Sequence, residues 1–423
     1  MEKFFTCLFV ITSIFTQAYG QIEWTKHSES NPVFPRGTGG EWDDQLLTGP
    51  YVLFDGSVYH MWYGGYDGGN GGSRIGYAYS SDGIIWTRES NNPVLESGPS
   101  GSWDEDTVYQ PCVLFDGTTY HMWFGGHSGP TRQIGYATSP DSINWTKNLG
   151  NPVLKPGLSG SWDDEFVDSP DVLFIDGVYH MWYSGSDGTK TQSGHATSPD
   201  GINWTKDSDN NPVLEPDSSG RWDDIMSYQP SVLFDGTTYH MWYSGGGAFL
   251  WSIGYAHSSD GIIWTKDSDN NPVLEPGSSG SWDDTYVGLC GVTFNVDSSR
   301  FKMWFAGGNG FLFGDIGYAI SDSIVSDIDY KPGELPQGFS LLQNYPNPFN
   351  PSTTIEFTLP KSEFVELKVY NILGKEVASL VSNILNQGNH TYQFDGKNLA
   401  SGVYYYKIQA GEYREVKKMI LIK

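Results

Sequence analysis

Hydrophobic and polar positions alternate along this chain in short runs, and the runs return in the same order roughly every 60 residues. In one copy, Tyr228-Gln229-Pro230-Ser231-Val232-Leu233-Phe234 reads as a first strand and Asp235-Gly236 as a tight hairpin turn. Tyr239-His240-Met241-Trp242-Tyr243 alternates two faces and reads as a second strand. A glycine-rich loop leads to a third strand, Ile253-Gly254-Tyr255-Ala256. Asp260-Gly261 then turns the chain into a fourth, Ile262-Ile263-Trp264-Thr265-Lys266. The pattern therefore predicts an all-β chain built from four-stranded antiparallel units.

Three tryptophans set the phase of each unit. Trp42-Asp43-Asp44, Trp103-Asp104-Glu105, Trp162-Asp163-Asp164, Trp222-Asp223-Asp224 and Trp282-Asp283-Asp284 mark the first position. Trp62, Trp123, Trp182, Trp242 and Trp304 mark the second, and Trp86, Trp145, Trp204 and Trp264 close the first four units. The fifth unit has no closing tryptophan; its segment reads Asp322-Ser323-Ile324-Val325. The missing piece stands at the front of the chain as Ile22-Glu23-Trp24-Thr25-Lys26. A chain whose start completes its end predicts a five-bladed β-propeller over residues 21–325, closed by an N-terminal strand.

After Ser321 the pattern stops. A linker over 326–340 contains Pro332, Gly333 and Pro336. Alternating runs at Thr353–Leu359, Val365–Tyr370, His390–Phe394, Gly402–Gln409 and Glu415–Ile422 predict a small C-terminal β-sandwich over 341–423.

The formal net charge of −26 argues against a nucleic-acid partner, because phosphate binding needs clustered lysine and arginine. Residues 1–20 read as a secretory signal: Lys3, an apolar run from Phe4 to Phe15, and Ala18-Tyr19-Gly20 as a small-x-small cleavage site. No other stretch is long and apolar enough to span a membrane. Cleavage would leave two cysteines, Cys112 and Cys290, in units that are not ring neighbours, so two buried thiols are expected rather than a disulfide. The expected mature protein is a monomer.

The C-terminal module resembles the type A sorting domain of the type IX secretion system. The likeness is carried by Gln343-Asn344-Tyr345-Pro346-Asn347-Pro348-Phe349-Asn350-Pro351, Tyr370-Asn371-Ile372-Leu373-Gly374, Leu399-Ala400-Ser401-Gly402-Val403-Tyr404-Tyr405-Tyr406 and Lys417-Lys418. It implies passage through the outer membrane by the type IX machinery and a secreted or surface-attached product. The repeats resemble the five-bladed glycoside hydrolases of families 43 and 130, with a fainter likeness to family 32. Their shared phrases here are Asn271-Pro272-Val273-Leu274, Tyr239-His240-Met241-Trp242-Tyr243 and Ser258-Ser259-Asp260-Gly261-Ile262-Ile263-Trp264. That likeness implies a partner that is an oligo- or polysaccharide.

What recurs in every unit is read as architecture, since one site on the ring axis cannot need five copies of a catalyst. The Trp-Asp-Asp marks and the set His60, His121, His180 and His240 fall in that class. No metal ligand set and no cofactor are expected; the acid pairs leave room for a structural cation or for sugar hydroxyls. Departures from the repeat carry more information. The first strands begin Thr48-Gly49-Pro50-Tyr51, Tyr109-Gln110-Pro111-Cys112, Asp168-Ser169-Pro170-Asp171, Tyr228-Gln229-Pro230-Ser231 and Gly288-Leu289-Cys290-Gly291. Only the third has carboxylates. Asp168-Ser169-Pro170-Asp171 resembles the acid-Cys-Pro-Asp motif of family 32 and the acid-x-Pro motif of family 43, a resemblance that implies Asp168 as the proton donor.

Glycoside hydrolysis needs a second carboxylate. The family positions for it hold Gly49, Pro50 and Gln110, none acidic. Strand parity puts Asp171, three residues along, on the opposite face from Asp168. Asp44 or Asp67, from loops of the first unit, are the remaining catalytic candidates. A phosphorylase would need one acid and a basic cluster, but Arg74 and Arg132 are not expected to converge. A sialidase would need three converging arginines, and no first-strand start carries one. Gln110, Asp171, Gln229, His127 and Trp251 are the candidate substrate-binding residues, with Trp251 as the sugar-stacking platform. Two function classes follow: a carbohydrate-active enzyme using Asp168, or a non-catalytic module that binds glycan or protein at the cell surface.

Overall fold

The computed structural model describes residues 22–69, 72–247, 250–295, 298, 300–310, 314–321, 339–344, 346–360, 363–372, 374–385, 388–397, 399–411 and 413–422. The expected signal segment 1–20, linker residues 326–338, the segment Asp322-Ser323-Ile324-Val325, the loop residues Phe249, Phe311, Leu312 and Phe313, and the motif residues Tyr345 and Leu373 lie outside the described residues.

The described residues hold strands and no helix. The third repeat shows the plan: Phe166–Ile175, Val178–Ser186, Thr191–Ser198 and Thr205–Lys206, each antiparallel to the one before. The first strands of the other repeats are Leu46–Phe54, Thr107–Phe115, Met226–Phe234 and Tyr286–Asn295, each followed by its own antiparallel partners. In the first four repeats an Asp-Gly turn joins the first strand to the second. In the second repeat Asp116 Oδ1 accepts the N–H groups of Thr118 and Thr119, the local bond that makes aspartate a turn former.

Two sets of bonds explain the recurring residues. The first acid of each Trp-Asp-Asp mark is buried and takes a cation from the short fourth strand: Asp43 from Arg88 at 3.0 Å, Asp104 from Lys147 at 2.5 Å, Asp163 from Lys206 at 2.5 Å and Asp223 from Lys266 at 2.6 Å. The mid-strand tryptophans are all fully buried, and four of them reach forward to a turn carbonyl of another repeat. Trp62 donates to Ser142, Trp123 to Gly201 and Trp182 to Gly261. Trp304 of the fifth repeat donates at 2.8 Å to Gly83 of the first, so the series runs back to its beginning.

The N-terminal strand fills the gap foreseen in the fifth repeat. Trp24–Lys26 pairs antiparallel with Asp315–Ser321, setting Trp24 opposite Ser321 and Lys26 opposite Ala319. Lys26 takes the place of the fourth-strand lysine, 2.5 Å from Asp283. Asn31 receives the Tyr318 N–H, as Asn92 receives that of Tyr77, and Phe34 bridges Ile316 as Leu95 bridges Ile75. The indole N–H groups of Trp24 and Trp242 have no partner among the described residues.

The histidine set is also accounted for. His60, His121 and His240 each link the hairpin aspartate of their repeat to a third-strand tyrosine: Asp55 to Tyr77, Asp116 to Tyr136 and Asp235 to Tyr255. Both cysteines are buried, unpaired thiols, as expected.

The C-terminal region forms two sheets. One orders Ser340–Leu341, Ser352–Leu359 and Gly388–Asp395; the other orders Glu376–Leu385, Glu363–Asn371, Gly402–Ala410 and Tyr413–Leu421. Alternate residues such as Ile355, Phe357, Val365, Leu367, Tyr406 and Ile408 meet in one core. The strand Glu376–Leu385 was not among those foreseen. Its partner strand carries two register breaks against it, which disturb the period of two.

Candidate active site

Every first strand is interrupted at the same level. Against the second strand, three residues span the distance of two between Thr48 and Tyr51, Tyr109 and Cys112, Asp168 and Asp171, Tyr228 and Ser231, and Gly288 and Gly291. The residue inside each bulge has a left-handed backbone: Gly49 (φ 52°), Gln110 (φ 47°), Ser169 (φ 51°), Gln229 (φ 48°) and Leu289 (φ 51°). A non-glycine residue held there costs on the order of 1 kcal/mol, so four of the five store strain at one level of the ring. Ser184 and Ser244 stabilise two of the bulges by accepting the N–H groups of Gln229 and Leu289, both at 2.8 Å.

Asp168 sits just before the bulge of the third repeat and is wholly buried. Its Oδ2 lies 3.2 Å from the Tyr109 hydroxyl, 3.2 Å from Arg132 Nη1 and 3.4 Å from the Tyr228 hydroxyl; its Oδ1 lies 2.9 Å from Ser169 Oγ. Gln110 joins this group, donating from Nε2 to the Tyr228 hydroxyl at 3.0 Å, with Oε1 2.5 Å from Ser169 Oγ. Three repeats thus converge on one carboxyl. Burial pushes its pKa above the ordinary carboxylate value, while the Arg132 guanidinium pulls the other way. Burial, then the charge of Asp168, raises Tyr109 as well, so its hydroxyl keeps its proton. Arg132 is half-exposed and lies over the Phe166 ring at 4.8 Å.

Two expectations need correction here. Arg132 does converge on the candidate acid. Asp171 does not take the opposite face: the extra residue of the bulge restores parity, so Asp168 faces Ser184 and Asp171 faces Trp182, two residues apart on the partner strand. Asp171 nevertheless joins no part of the Asp168 group. It accepts the Val232 N–H and lies 3.4 Å from Cys112 Sγ, as Ser231 accepts the Val292 N–H one repeat further on. Burial pushes the Asp171 carboxyl up to about 6. Beneath the bulges, Gln110, Ser169, Asp171, Gln229, Ser231 and Cys290 line a small cavity, together with Pro50, Pro111, Pro170 and Pro230. Gln229 Oε1 is buried there without a hydrogen-bond partner among the described residues.

The other candidates lie apart from the acid. Asp44 caps its own loop, accepting the Gly40 N–H at 2.7 Å, as Asp164, Asp224 and Asp284 do in theirs. Asp67 pairs with Arg74 at 2.7 Å. Neither bonds to the Asp168 group. His127 packs edge-on to Tyr109 with centroids 6.1 Å apart, and its Nδ1 is 3.9 Å from Asp106. Burial, then the charge of Arg132, lowers its pKa. Trp251 is partly buried, edge-on to Tyr228 at 6.1 Å and to Tyr286 at 6.2 Å. It is therefore tied to the Asp168 group through Tyr228. The described residues hold no cluster of three or more histidine, cysteine or acidic side chains that could hold a metal ion.

Sequence reasoning missed Tyr109, Arg132, Ser169 and Tyr228. Three of these had a visible signal. Tyr109 and Tyr228 occupy the same repeat position as Asp168, and Ser169 that of Gln110. Arg132 had none, because its alignment on Asp168 depends on the packing of the second repeat against the third.

The comparisons with known proteins separate the two halves of the chain. Residues 343–423 match the secretion system C-terminal sorting domain. The chain carries that sorting domain. It indicates export, to the cell surface or beyond. An uncharacterised protein of Mycobacterium tuberculosis is 33% identical over 169 residues, 39% of this chain and 54% of its own length. The chain thus spans about half of that relative. The 1,2-beta-oligomannan phosphorylase of a Thermoanaerobacter species is 25% identical over 52% of this chain and 71% of its own. Among solved structures, one described under the GH130 family of mannoside phosphorylases, containing glycoside hydrolases that target beta-1,2 mannosidic linkages, matches with a TM-score of 0.58. It is 19% identical and covers 73% of this chain and 98% of its own. The repeat region has the fold of these propeller-like glycosidases.

Proposed function

We propose that residues 21–325 form a five-bladed propeller that acts on carbohydrate at the Asp168 end of its axis. In this reading residues 1–20 are a removed signal, 326–340 a linker, and 341–423 a small sandwich that hands the monomeric protein to the type IX machinery. The observation that carries the reading is Asp168 itself: a fully buried carboxyl met by Tyr109, Ser169, Tyr228 and Arg132. It suits a proton donor better than a nucleophile, because its environment favours the protonated form. Trp251, Gln110, Gln229 and His127 are the sugar-binding side chains of this proposal.

A second carboxylate for hydrolysis would have to come from Asp44, Asp67 or Asp171, each already engaged elsewhere, with the Gly40 N–H, Arg74 and the Val232 N–H. One acid with phosphate as nucleophile fits better. Arg132 supplies a half-exposed cation beside the acid, and a phosphorylase is among the relatives. The test is a panel of oligosaccharides, mannosides included, incubated with the mature protein with and without inorganic phosphate, alongside Asp168→Asn. Phosphate-dependent release of a sugar phosphate, abolished in the variant, supports phosphorolysis; release without phosphate overturns it.

A second reading is a non-catalytic glycan-binding module. It is favoured by the complete burial of Asp168 behind two tyrosines. Binding on the same panel without turnover, weakened in Trp251→Ala, would decide for it.

A further inference from the structure

Two glutamines hold the left-handed bulge position, and only one of them has a partner for its amide. Ser169 Oγ, which occupies that position one repeat further on, meets the Gln110 amide at 2.5 Å. One repeat beyond Gln229 the same position is Leu289, which has no hydroxyl to give. Gln229 is 8% exposed, and its Oε1 is buried with no hydrogen-bond partner among the described residues. Four residues of the cavity wall around it, Pro50, Pro111, Pro170 and Pro230, carry no backbone N–H that could replace the lost donor. A buried amide oxygen left bare is destabilising, so its persistence points to a ligand.

The rest of the lining says what kind of ligand that is. Ser231 Oγ accepts the Val292 N–H at 3.2 Å, so its own proton is still to be given. Asp171 accepts the Val232 N–H through one oxygen, and its other oxygen lies 3.4 Å from Cys112 Sγ. Each carboxyl oxygen has a second lone pair to offer. The wall therefore presents acceptors at Gln229 and Asp171 and a donor at Ser231. The cavity measures about 10 Å³, room for a single water molecule. We propose that it binds one neutral, water-sized molecule, water itself, which donates to Gln229 and Asp171 and accepts from Ser231, and so bridges the third and fourth repeats.

A metal ion suits the lining less well. It would meet the Ser231 proton, and a hard cation takes about six or more oxygens where this wall has few to spare. Turning the Gln229 amide over would place a donor where the acceptor stands; a water serves either end, whereas a cation serves only the oxygen. Ser169 and Gln110 line the same cavity, and Ser169 also bonds to Asp168, so the bound molecule lies one side chain away from the proposed acid. Of the sugar-binding side chains named above, Gln229 alone is shared with this site. The assignment does not rest on the carbohydrate reading.

The repeats supply a substitution that suits the strained backbone, since Leu289 holds the position of Gln229 with the same left-handed φ. A crystal structure of the mature protein should show one isolated density peak within hydrogen-bond distance of Gln229, Ser231 and Asp171. The peak should be lost in Gln229→Leu. Crystals soaked in thallium(I) should give no anomalous signal there. A wild-type cavity without density overturns the proposal whatever the variant does. So does an anomalous peak, or a set of oxygen contacts near about 2.4 Å, either of which would make the ligand a cation. A peak unchanged in Gln229→Leu overturns it as well, because the amide would not be what holds the molecule. None of these readouts uses activity, so their failure leaves the carbohydrate reading in place, and a protein inert towards every glycan leaves this site in place.

Discussion

Lys26 and Asp283 meet at 2.5 Å although 257 residues of chain separate them. In the first four repeats the corresponding cation and acid are 43 to 45 residues apart, within one unit. Asp283 is 3% exposed at its side chain, so loss of Lys26 leaves a buried carboxyl without its cation. Lys26→Ala should cost on the order of 2–3 kcal/mol. It should cost more than Lys147→Ala, because Lys26 ties a three-residue strand from the front of the chain to the fifth repeat, whereas Lys147 acts within one repeat. Chemical denaturation of both variants checks this; an equal loss would mean that the N-terminal strand is held no more precariously than the others.

Asp171 should make the protein less stable as pH rises. Its carboxyl has a pKa of about 6 when folded against 3.8 as the unshifted value, so the native state binds the extra proton between them. The stabilising contribution is complete below about pH 3.8 and is lost as pH climbs through 6. Asp171→Ser, which copies Ser231 and can still accept the Val232 N–H, should remove this dependence. At neutral pH it should stabilise the fold by up to about 2 kcal/mol. Denaturation midpoints measured from acid to neutral pH would show it, and an undiminished slope in the variant would sink the idea.

His195 acts in the opposite sense. It replaces the tyrosine that His60, His121 and His240 use, and faces His180 at 3.2 Å. Burial, then His180, pushes it down to about 4. An unfolded histidine takes up its proton near 6.5, so stability falls as pH drops from there towards 4. His195→Tyr should restore the repeat's histidine–tyrosine bond and gain on the order of 2 kcal/mol at about pH 5, with little change at pH 8. Melting temperatures at the two pH values separate this from a general packing effect.

Arg132 lowers the pKa of an acid that burial raises. Arg132→Met, which keeps a flexible stem near Phe166, should therefore move the Asp168 titration upward and extend the neutral form to higher pH. Carbon-detected resonance titration of labelled aspartates would follow it. A downward shift would show that Arg132 does not act on Asp168 as a charge.

Most of the repeat architecture was legible because each device occurs several times. The latch was readable from a missing Trp264 equivalent and a spare Trp24, and the histidines, read as architecture, bond within their own repeats. The site was harder to read. Strand parity failed at Asp171 because a bulge intervenes, although Pro50, Pro111, Pro170 and Pro230, in the middle of otherwise regular strands, were a sign of one. The meeting of Arg132 with Asp168 joins different repeats at a distance of 36 residues, and no local pattern encodes it. In the C-terminal region, the alternating strands were found and the irregular Glu376–Leu385 was not.

The five left-handed residues have a consequence for how such a ring can change. Glycine, glutamine, serine, glutamine and leucine already occupy the same backbone conformation at the same height. The sheets around them do not depend on which side chain is present. Each repeat therefore offers one replaceable letter beside the cavity that the first strands line. A single substitution there rewrites what that cavity presents, polar or apolar, donor or acceptor, while the frame that carries it stays as it is.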